Sequence, residues 1–417
     1  MVVLILKIII LFVVAIMAIY ASRHYIFTIN RLRGVQRLYY QDLVDSNLPA
    51  VSVLVPMHNE EKVAVQSMEA LLNCDYPADK LEIIPINDHS SDGTREILDK
   101  FAAENKHINP LHRDGEDRGK PAGLNEAMVI ATGEIIIVFD ADYLPNKGAI
   151  RDLAISFKDP EVGAVMGRVV PINTRKNLLT RLLDLERSGG YQVDQQARHN
   201  MHLMPQYGGT VGGFRRELVL ALGGFDHRVL AEDTDLTFRL VLRGWKIVYA
   251  NRVECYEEAP ETWQVRAKQI KRWSRGHNMV MFRNFRPLLK SKWLTKTEKF
   301  DAILLLTIYI LPVILFIGIV DSIALFYLGE MQIWESLLVF FAVAAYNSFG
   351  NFAPFYQIGT ASLLDGTSHR VKLLPFLMFY FLMNIWTITA GFFQAVGDRV
   401  SNRKITWDKT ARFRRNE

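Results

Sequence analysis

The sequence predicts an α/β domain with a largely parallel sheet, set between transmembrane helices. Two observations carry that prediction. Residues 22–300 alternate apolar runs with helix-like segments, as the βα repeats of a parallel sheet do. Long apolar stretches flank this part, one at Met1–Tyr20 interrupted only by Lys7 and three more after residue 301. With 50% hydrophobic residues over 417 positions, that distribution indicates one soluble domain carried on membrane spans, not two soluble domains.

A membrane-crossing helix needs about 20 apolar residues, and residues 1–21 supply them. A cleaved signal peptide is the alternative, but the run is long and ends without an A-x-A-like site, so a retained anchor is expected. Arg23, His24, Arg31, Arg33 and Arg37 follow, and the positive-inside tendency puts the segment after the anchor in the cytosol. The formal charge of +5 gathers near the membrane ends, at 266–299 and in the tail with Arg399, Arg403, Lys404, Lys409, Arg412, Arg414 and Arg415. A solvated tail and contact with anionic lipid both account for that cluster. Cys74 and Cys255 are too few for a disulfide framework or a zinc cluster, and they fit a reducing compartment.

Within the soluble part, strands are expected at residues 51–56, 81–87 and 134–140, and helices at 61–74, 94–104 and 122–132. Ligands of such sheets sit beyond the carboxyl ends of the strands. The informative residues are therefore Pro56-Met57-His58-Asn59-Glu60, Asn87-Asp88-His89-Ser90-Ser91-Asp92-Gly93 and Asp140-Ala141-Asp142. Asp, Asn, Ser and Gly are also ordinary turn and cap residues, and Asp92 reads best as a helix cap. Asp140 and Asp142 differ, because period two on an extended strand puts both carboxylates on one side. Two such charges repel unless a cation compensates. Mg2+ or Mn2+, partly hydrated and shared with substrate phosphates, fits them.

Ala231-Glu232-Asp233-Thr234-Asp235 opens a helix-like segment, where acidic residues are favoured by the helix dipole; Asp235 reads that way. The Glu232-Asp233 pair also suits a general base, one carboxylate holding the other in place to take a proton from a hydroxyl. In Gln269-Ile270-Lys271-Arg272-Trp273, helical spacing puts Gln269, Arg272 and Trp273 on one face. Arg can grip a pyrophosphate and Trp can support a sugar ring; a membrane-surface helix explains the same residues equally well.

Asp88, Asp140-x-Asp142, Glu232-Asp233 and Gln269-x-x-Arg272-Trp273, taken in order, resemble the processive family 2 glycosyltransferases: the cellulose, chitin, hyaluronan, poly-N-acetylglucosamine and mannan synthases. The resemblance covers roughly residues 50–285. Tyr207-Gly208-Gly209-Thr210 with Phe214-Arg215-Arg216-Glu217 is similar to that family's acceptor-binding stretch, and Trp407-Asp408-Lys409-Thr410 to its cytosolic tail. Met57 and Gly208 depart from the cellulose synthases, which have a hydroxyl residue and a cysteine there.

The resemblance implies a GT-A-type domain at 22–265 behind an anchor at 1–21. Interfacial helices at 266–300, a transmembrane region at 301–398 and a cytosolic tail at 399–417 would follow. It implies that Pro56, Glu60, Asp88, Lys120 and Asp140 hold the donor, Asp142 the metal and Arg272 the diphosphate. Asp233, beside Glu232, would be the base, while Gly209, Thr210, Gln269 and Trp273 would frame the acceptor. The implied activity is inverting transfer of a hexose or N-acetylhexosamine, UDP-linked in the donor, to a growing β-linked glycan that the protein also helps to translocate. The alternative is single addition to a lipid. The partners so implied are the nucleotide-sugar, the glycan, the bilayer and export proteins, with no nucleic acid; cyclic-dinucleotide control is not expected. Three spans at about 302–328, 336–357 and 373–397 would leave the basic tail outside, against the positive-inside tendency. Asn347, Gly350, Asn351 and Pro354 interrupt the middle one, so it either bends or re-enters, leaving the tail cytosolic, or packs on its neighbours as an ordinary span through those small and polar residues.

Overall fold

A computed structural model describes residues 1–37, 47–330 and 352–401. Its described residues form one eight-stranded mixed, mostly parallel sheet in the order β3-β2-β1-β4-β7-β6-β8-β5. The chain enters through helix α1 (Val2–Arg33) and then lays down β1 (Val51–Met57), α2 (Glu61–Leu72), β2 (Leu81–Asp88), α3 (Thr94–Glu104), β3 (Leu111–Arg113), α4 (Lys120–Ile130) and β4 (Ile135–Val138). These first four strands are mutually parallel, so β1, β2 and β4 end on one edge of the sheet. Val53 and Val55 face α2 and α3, while Leu54 between them faces α4. Both faces are covered, which is why the strands read as unbroken apolar runs without a polar side.

The second half adds β5 (Leu144–Pro145), α5 (Ala149–Ala154), β6 (Val162–Pro171) and a helical rod. The rod is α6 (Leu178–Ser188), a π-helical turn (Gly189–Gln195) and α7 (Gln196–Asn200). Then come β7 (Gly212–Arg215), α8 (Arg216–Ala221), α9 (Glu232–Val241), β8 (Lys246–Glu257) and α10 (Trp263–Lys290). β7 runs antiparallel to both β4 and β6, and β6 and β8 are parallel again.

The flanking helices are α1, α11 (Lys296–Leu306), α12 (Leu311–Tyr327), α13 (residues 352–364) and α14 (Leu374–Ser401). Among the described residues two helical stretches are long and apolar enough to cross a membrane, Val2–Arg33 and Ser368–Ser401. The span expected at 302–328 is not one helix: α11 and α12 meet at 68°. Pro312, in the first turn of α12, has no amide proton to continue the ladder from α11. The expected interruption at Asn347, Gly350 and Asn351, and the tail from Asn402 onward with Trp407-Asp408-Lys409-Thr410, lie outside the described residues.

α1 also runs past residue 21, to Arg33, and docks on the domain. Arg23 is buried between Asp194 at 2.6 Å and Asp301 at 3.1 Å, and Arg198 binds the same two carboxylates. Three buried charges and the part-exposed Asp194 thereby join α1, the π turn, α7 and α11.

Candidate active site

The loops after β1 and β2 are tied to each other at the sheet edge. His58 Nδ1 hydrogen-bonds the Asp88 carbonyl oxygen at 2.6 Å, and the Asn59 side-chain oxygen accepts the Ser91 N–H at 2.7 Å. Asn59 and His89 both adopt positive φ, 53° and 58°, conformations that asparagine and histidine tolerate better than most residues. Asp92 accepts N–H groups from Thr94 at 3.1 Å and Glu61 at 3.2 Å, so it serves the starts of α3 and α2, as a cap reading anticipates. Asp88 ends β2 with its carboxylate held by Arg113 at 2.5 Å, the Gly119 N–H at 2.7 Å and His89 at 2.8 Å. Gly119 reaches that position with φ of +103°, which only glycine adopts easily.

Lys120 follows at the start of α4. Its ammonium donates to Asp140 at 2.6 Å and to the Gly209 carbonyl at 2.9 Å. Burial alone would lower its pKa, but Asp140, Glu232 and Asp233 outweigh burial and raise it. Asp140 is also fixed by its own N–H, which donates to Thr210 Oγ1 at 3.0 Å. The expectation that Asp140 and Asp142 share one side of an extended strand is not met. β4 stops at Val138 and the chain turns, with the Tyr143 N–H donating to the Asp140 carbonyl at 3.0 Å. The turn nevertheless delivers both carboxylates to the same cavity, with Asp142 2% exposed.

Across the cavity, Glu232 and Asp233 begin α9. The Thr234 N–H donates to Asp233 Oδ1 at 2.6 Å, fixing that side chain. Gly209, at φ of +73°, lets the chain pass close by: a β-carbon there would lie 3.0 Å from Asp233 Cβ. Burial and the neighbouring Asp233 push the Glu232 carboxyl up to about 7, against the pull of Lys120. Asp235 faces away into the core, paired with Arg239 at 2.7 Å, a structural role.

α10 brings the third set. Gln269, Arg272 and Trp273 line the cavity from one face of that helix. One turn earlier, Arg266 donates to Gln269 at 2.7 Å, to Glu186 at 2.8 Å and to the Tyr380 hydroxyl at 2.9 Å. The guanidiniums of Arg266 and Arg187 lie over the Trp273 indole at 5.0 and 5.3 Å. Arg187 in turn pairs with Glu257 at 2.7 Å. His277, one turn further, packs against Tyr309 with ring centres 4.7 Å apart and the rings tilted by 34°, and burial lowers its pKa.

The structure therefore gathers Pro56, Glu60, Asp88, Lys120, Asp140, Asp142, Thr210, Glu232, Asp233, Gln269, Arg272 and Trp273 around one cavity of about 1480 Å³. Gly209 joins them through its carbonyl on Lys120, whereas Phe214-Arg215-Arg216-Glu217 run into β7 and α8 away from the lining. Sequence reasoning missed Glu186, Arg187, Tyr191, Glu257, Arg266 and His277. For Arg266 a signal existed, three residues before Gln269 on the same helical face. For the Arg187–Glu257 pair, 70 residues apart in the chain, there was no local signal.

Among the described residues no group of three or more His, Cys, Asp or Glu side chains is placed to hold a metal ion. Mg2+ or Mn2+ is commonly held by one or two carboxylates plus substrate phosphates and water. Asp142, with an all-oxygen donor and Asp140 beside it, fits a cation held in that way.

A profile described as glycosyltransferase like family 2 matches residues 49–276. The probable glycosyltransferase YdaM of Bacillus subtilis (strain 168) is 30% identical over 381 residues, covering 89% of this chain and 88% of that one. The β-monoglucosyldiacylglycerol synthase of Trichormus variabilis is 32% identical over 275 residues, 66% of this chain and 58% of that one. The probable glucomannan 4-β-mannosyltransferase 1 of Arabidopsis thaliana is 29% identical over 238 residues, 55% and 43%. This chain thus spans about half the length of the last two. A mannosyltransferase from Pyrobaculum calidifontis, solved with GDP-mannose and Mn2+, superposes with a TM-score of 0.60 at 23% identity, over 86% of this chain and 98% of that one, and has the same GT-A-type fold.

Proposed function

The chain belongs to the family 2 glycosyltransferases, and from that premise we propose that it moves a hexose or N-acetylhexosamine, with inversion, from a UDP-linked donor to an acceptor hydroxyl at the membrane face. The observation that carries this reading is the cavity itself. It joins Lys120, Asp140 and Asp142 on one wall to Asp233, Gln269 and Trp273 on the other, and continues between the membrane helices.

Donor binding falls to Pro56, Glu60 and Asp88 for the nucleoside and to Lys120, Asp140 and Arg272 for the sugar diphosphate. The acceptor oxygen gives its proton to Asp233 and forms a bond to the anomeric carbon as the bond from that carbon to the diphosphate oxygen breaks. Asp233 suits the proton transfer because the Thr234 N–H holds one oxygen and leaves the other toward Gly209, where the acceptor is placed. A divalent cation, held by Asp142, would offset charge on the departing diphosphate. Arg272 supplies fixed positive charge for the same purpose. Gln269 and Trp273, fastened by Arg266, set the angle of the acceptor, with Gly209 and Thr210 opposite.

A second reading, repeated addition to a growing β-linked glycan with its translocation, is supported by the Gln269-x-x-Arg272-Trp273 box standing in order behind the other three motifs. Purified protein incubated in turn with labelled UDP-glucose, UDP-N-acetylglucosamine and GDP-mannose tests both. Transfer from one donor is expected. A ladder of digestible products supports repeated addition, a single added sugar argues against it, and transfer from none with nucleotide bound overturns the proposal.

A further inference from the structure

We propose that the membrane-side half of the cavity holds the hydrocarbon chain of a lipid-borne acceptor, whose hydroxyl is thereby presented to Asp233. This rests on the transfer reading above and adds to it the chemical class of the acceptor.

Size comes first. A drug-sized ligand occupies a pocket of about 300–1,000 Å³, and this cavity measures about 1480 Å³, so it has room beyond a nucleotide-sugar. The additional space lies past Trp273, between α1, α11, α12, α13 and α14, where Leu305, Leu311, Leu315, Phe355, Phe381 and Ile385 line it.

Chemistry decides between a lipid and a glycan there. A sugar carries a hydroxyl on most carbons, and each must keep a hydrogen bond or forfeit its hydration. Among the described residues few hydrogen-bonding side chains line that half, chiefly Tyr20, His24, Tyr309 and Asn384, and Asn384 is bonded to Tyr380. Tyr20 donates to the Leu304 carbonyl at 2.8 Å, and His24 is bonded to Gln357 at 2.5 Å. A hydrocarbon asks for no partner and gains from leaving water.

The break between α11 and α12 agrees with this. Ile308 and Tyr309, at the 68° bend, are themselves part of the lining. Irregular backbone at membrane depth survives where protein or a cavity surrounds it. The bend opens the chamber beside Tyr309, which packs against His277 next to the reacting groups. A chain lying along α12 and α14 would thus end its head group at Trp273 and Asp233.

The test uses the full-length protein in nanodiscs, the active labelled donor and β-alkyl glucosides from ethyl to decyl, each below its micelle concentration. The acceptor KM is expected to fall about three- to fourfold per added methylene until the chamber is full, with kcat nearly constant. Leu315→Trp and Ile385→Trp, which fill the chamber, should flatten that series and raise the KM of the longest glucoside at least tenfold. Their affinity for UDP, measured by calorimetry, shows that each variant is folded. A chain-length dependence that persists in both variants would reflect partition into the bilayer and overturns the site. A KM that follows the length of cello-oligosaccharides and ignores the alkyl chain also overturns it, assigning the chamber to glycan while leaving the transfer reading intact. No transfer to any acceptor, with UDP bound, removes the transfer reading and this site with it.

Discussion

Asp142 is buried yet lines the cavity, and a carboxylate so placed is useful to a cation shared with phosphates. Asp142→Asn is expected to cut turnover roughly a thousandfold at saturating Mg2+ or Mn2+; undiminished turnover of the wild type in excess chelator would sink this. Asp233→Asn should leave the Kd for UDP unchanged while transfer falls about 10²- to 10⁴-fold, and an equal loss of nucleotide affinity would make the residue structural. Glu232 allows a prediction in pH. Its carboxyl is raised to about 7, above its unfolded value, so between the two values the folded protein binds more protons than the unfolded chain. Stability therefore falls as pH rises through that window. Glu232→Gln removes the penalty, and the variant's Tm advantage over wild type should grow from pH 5 to pH 8. A constant or shrinking difference would show that Glu232 keeps its charge at little cost.

At the level of elements, the quartet of Arg23, Asp194, Arg198 and Asp301 makes α1 part of the domain's packing. Arg23→Met leaves buried Asp301 and part-exposed Asp194 with one guanidinium, a loss of about 3–5 kcal/mol where a buried pair is broken. Its Tm should drop by several degrees at least, and a Tm within error of wild type would show that Arg23 is solvated. In the sequence Arg23 carried only a topological meaning, as a positive charge after an apolar run. Its partners are 171 and 278 residues away, and no local pattern announces them. The βα elements were legible for the opposite reason. Residues such as Val53, Leu54 and Val55 are buried on alternate faces, and the apolar run alone marks the strand. The two-residue spacing of Asp140 and Asp142 was legible as a pair but not as a strand, because the turn through Tyr143 leaves no trace in residue types. Likewise the 302–328 segment is apolar apart from Thr307, Asp321 and Ser322, and only Pro312 hints at its 68° break.

Three of the four motifs sit where an element ends or begins at one edge of the sheet, and the fourth, Gln269-x-x-Arg272-Trp273, faces them from within α10; this is why an ordered set of short motifs sufficed to find the cavity. Apart from Arg266, which its spacing to Gln269 signals, the sequence did not disclose the outer layer of Glu186, Arg187, Glu257 and Arg266, which comes from three distant elements and meets only in the fold. α1 belongs to that layer as much as to the membrane, since Tyr20, Phe27 and Thr28 are buried against the rest of the chain. A protein lacking residues 1–33 is therefore expected to aggregate or melt well below the full chain in matched detergent; equal melting would reduce α1 to a passive anchor. The π turn at Gly189–Gln195 has a longer-range consequence. An i→i+5 turn accommodates one residue more than an α turn, and α7 inherits the resulting offset. Closing the rod into a regular α-helix with every residue of the turn kept would rotate everything after it by roughly 100°. Asp194 and Arg198 would swing away from α1, and the side chains facing the cavity would be exchanged as a set. Loss of one residue from the turn would instead close the helix with α7 left in place, so a lineage can gain or lose one codon here and still keep Arg198 facing Asp301.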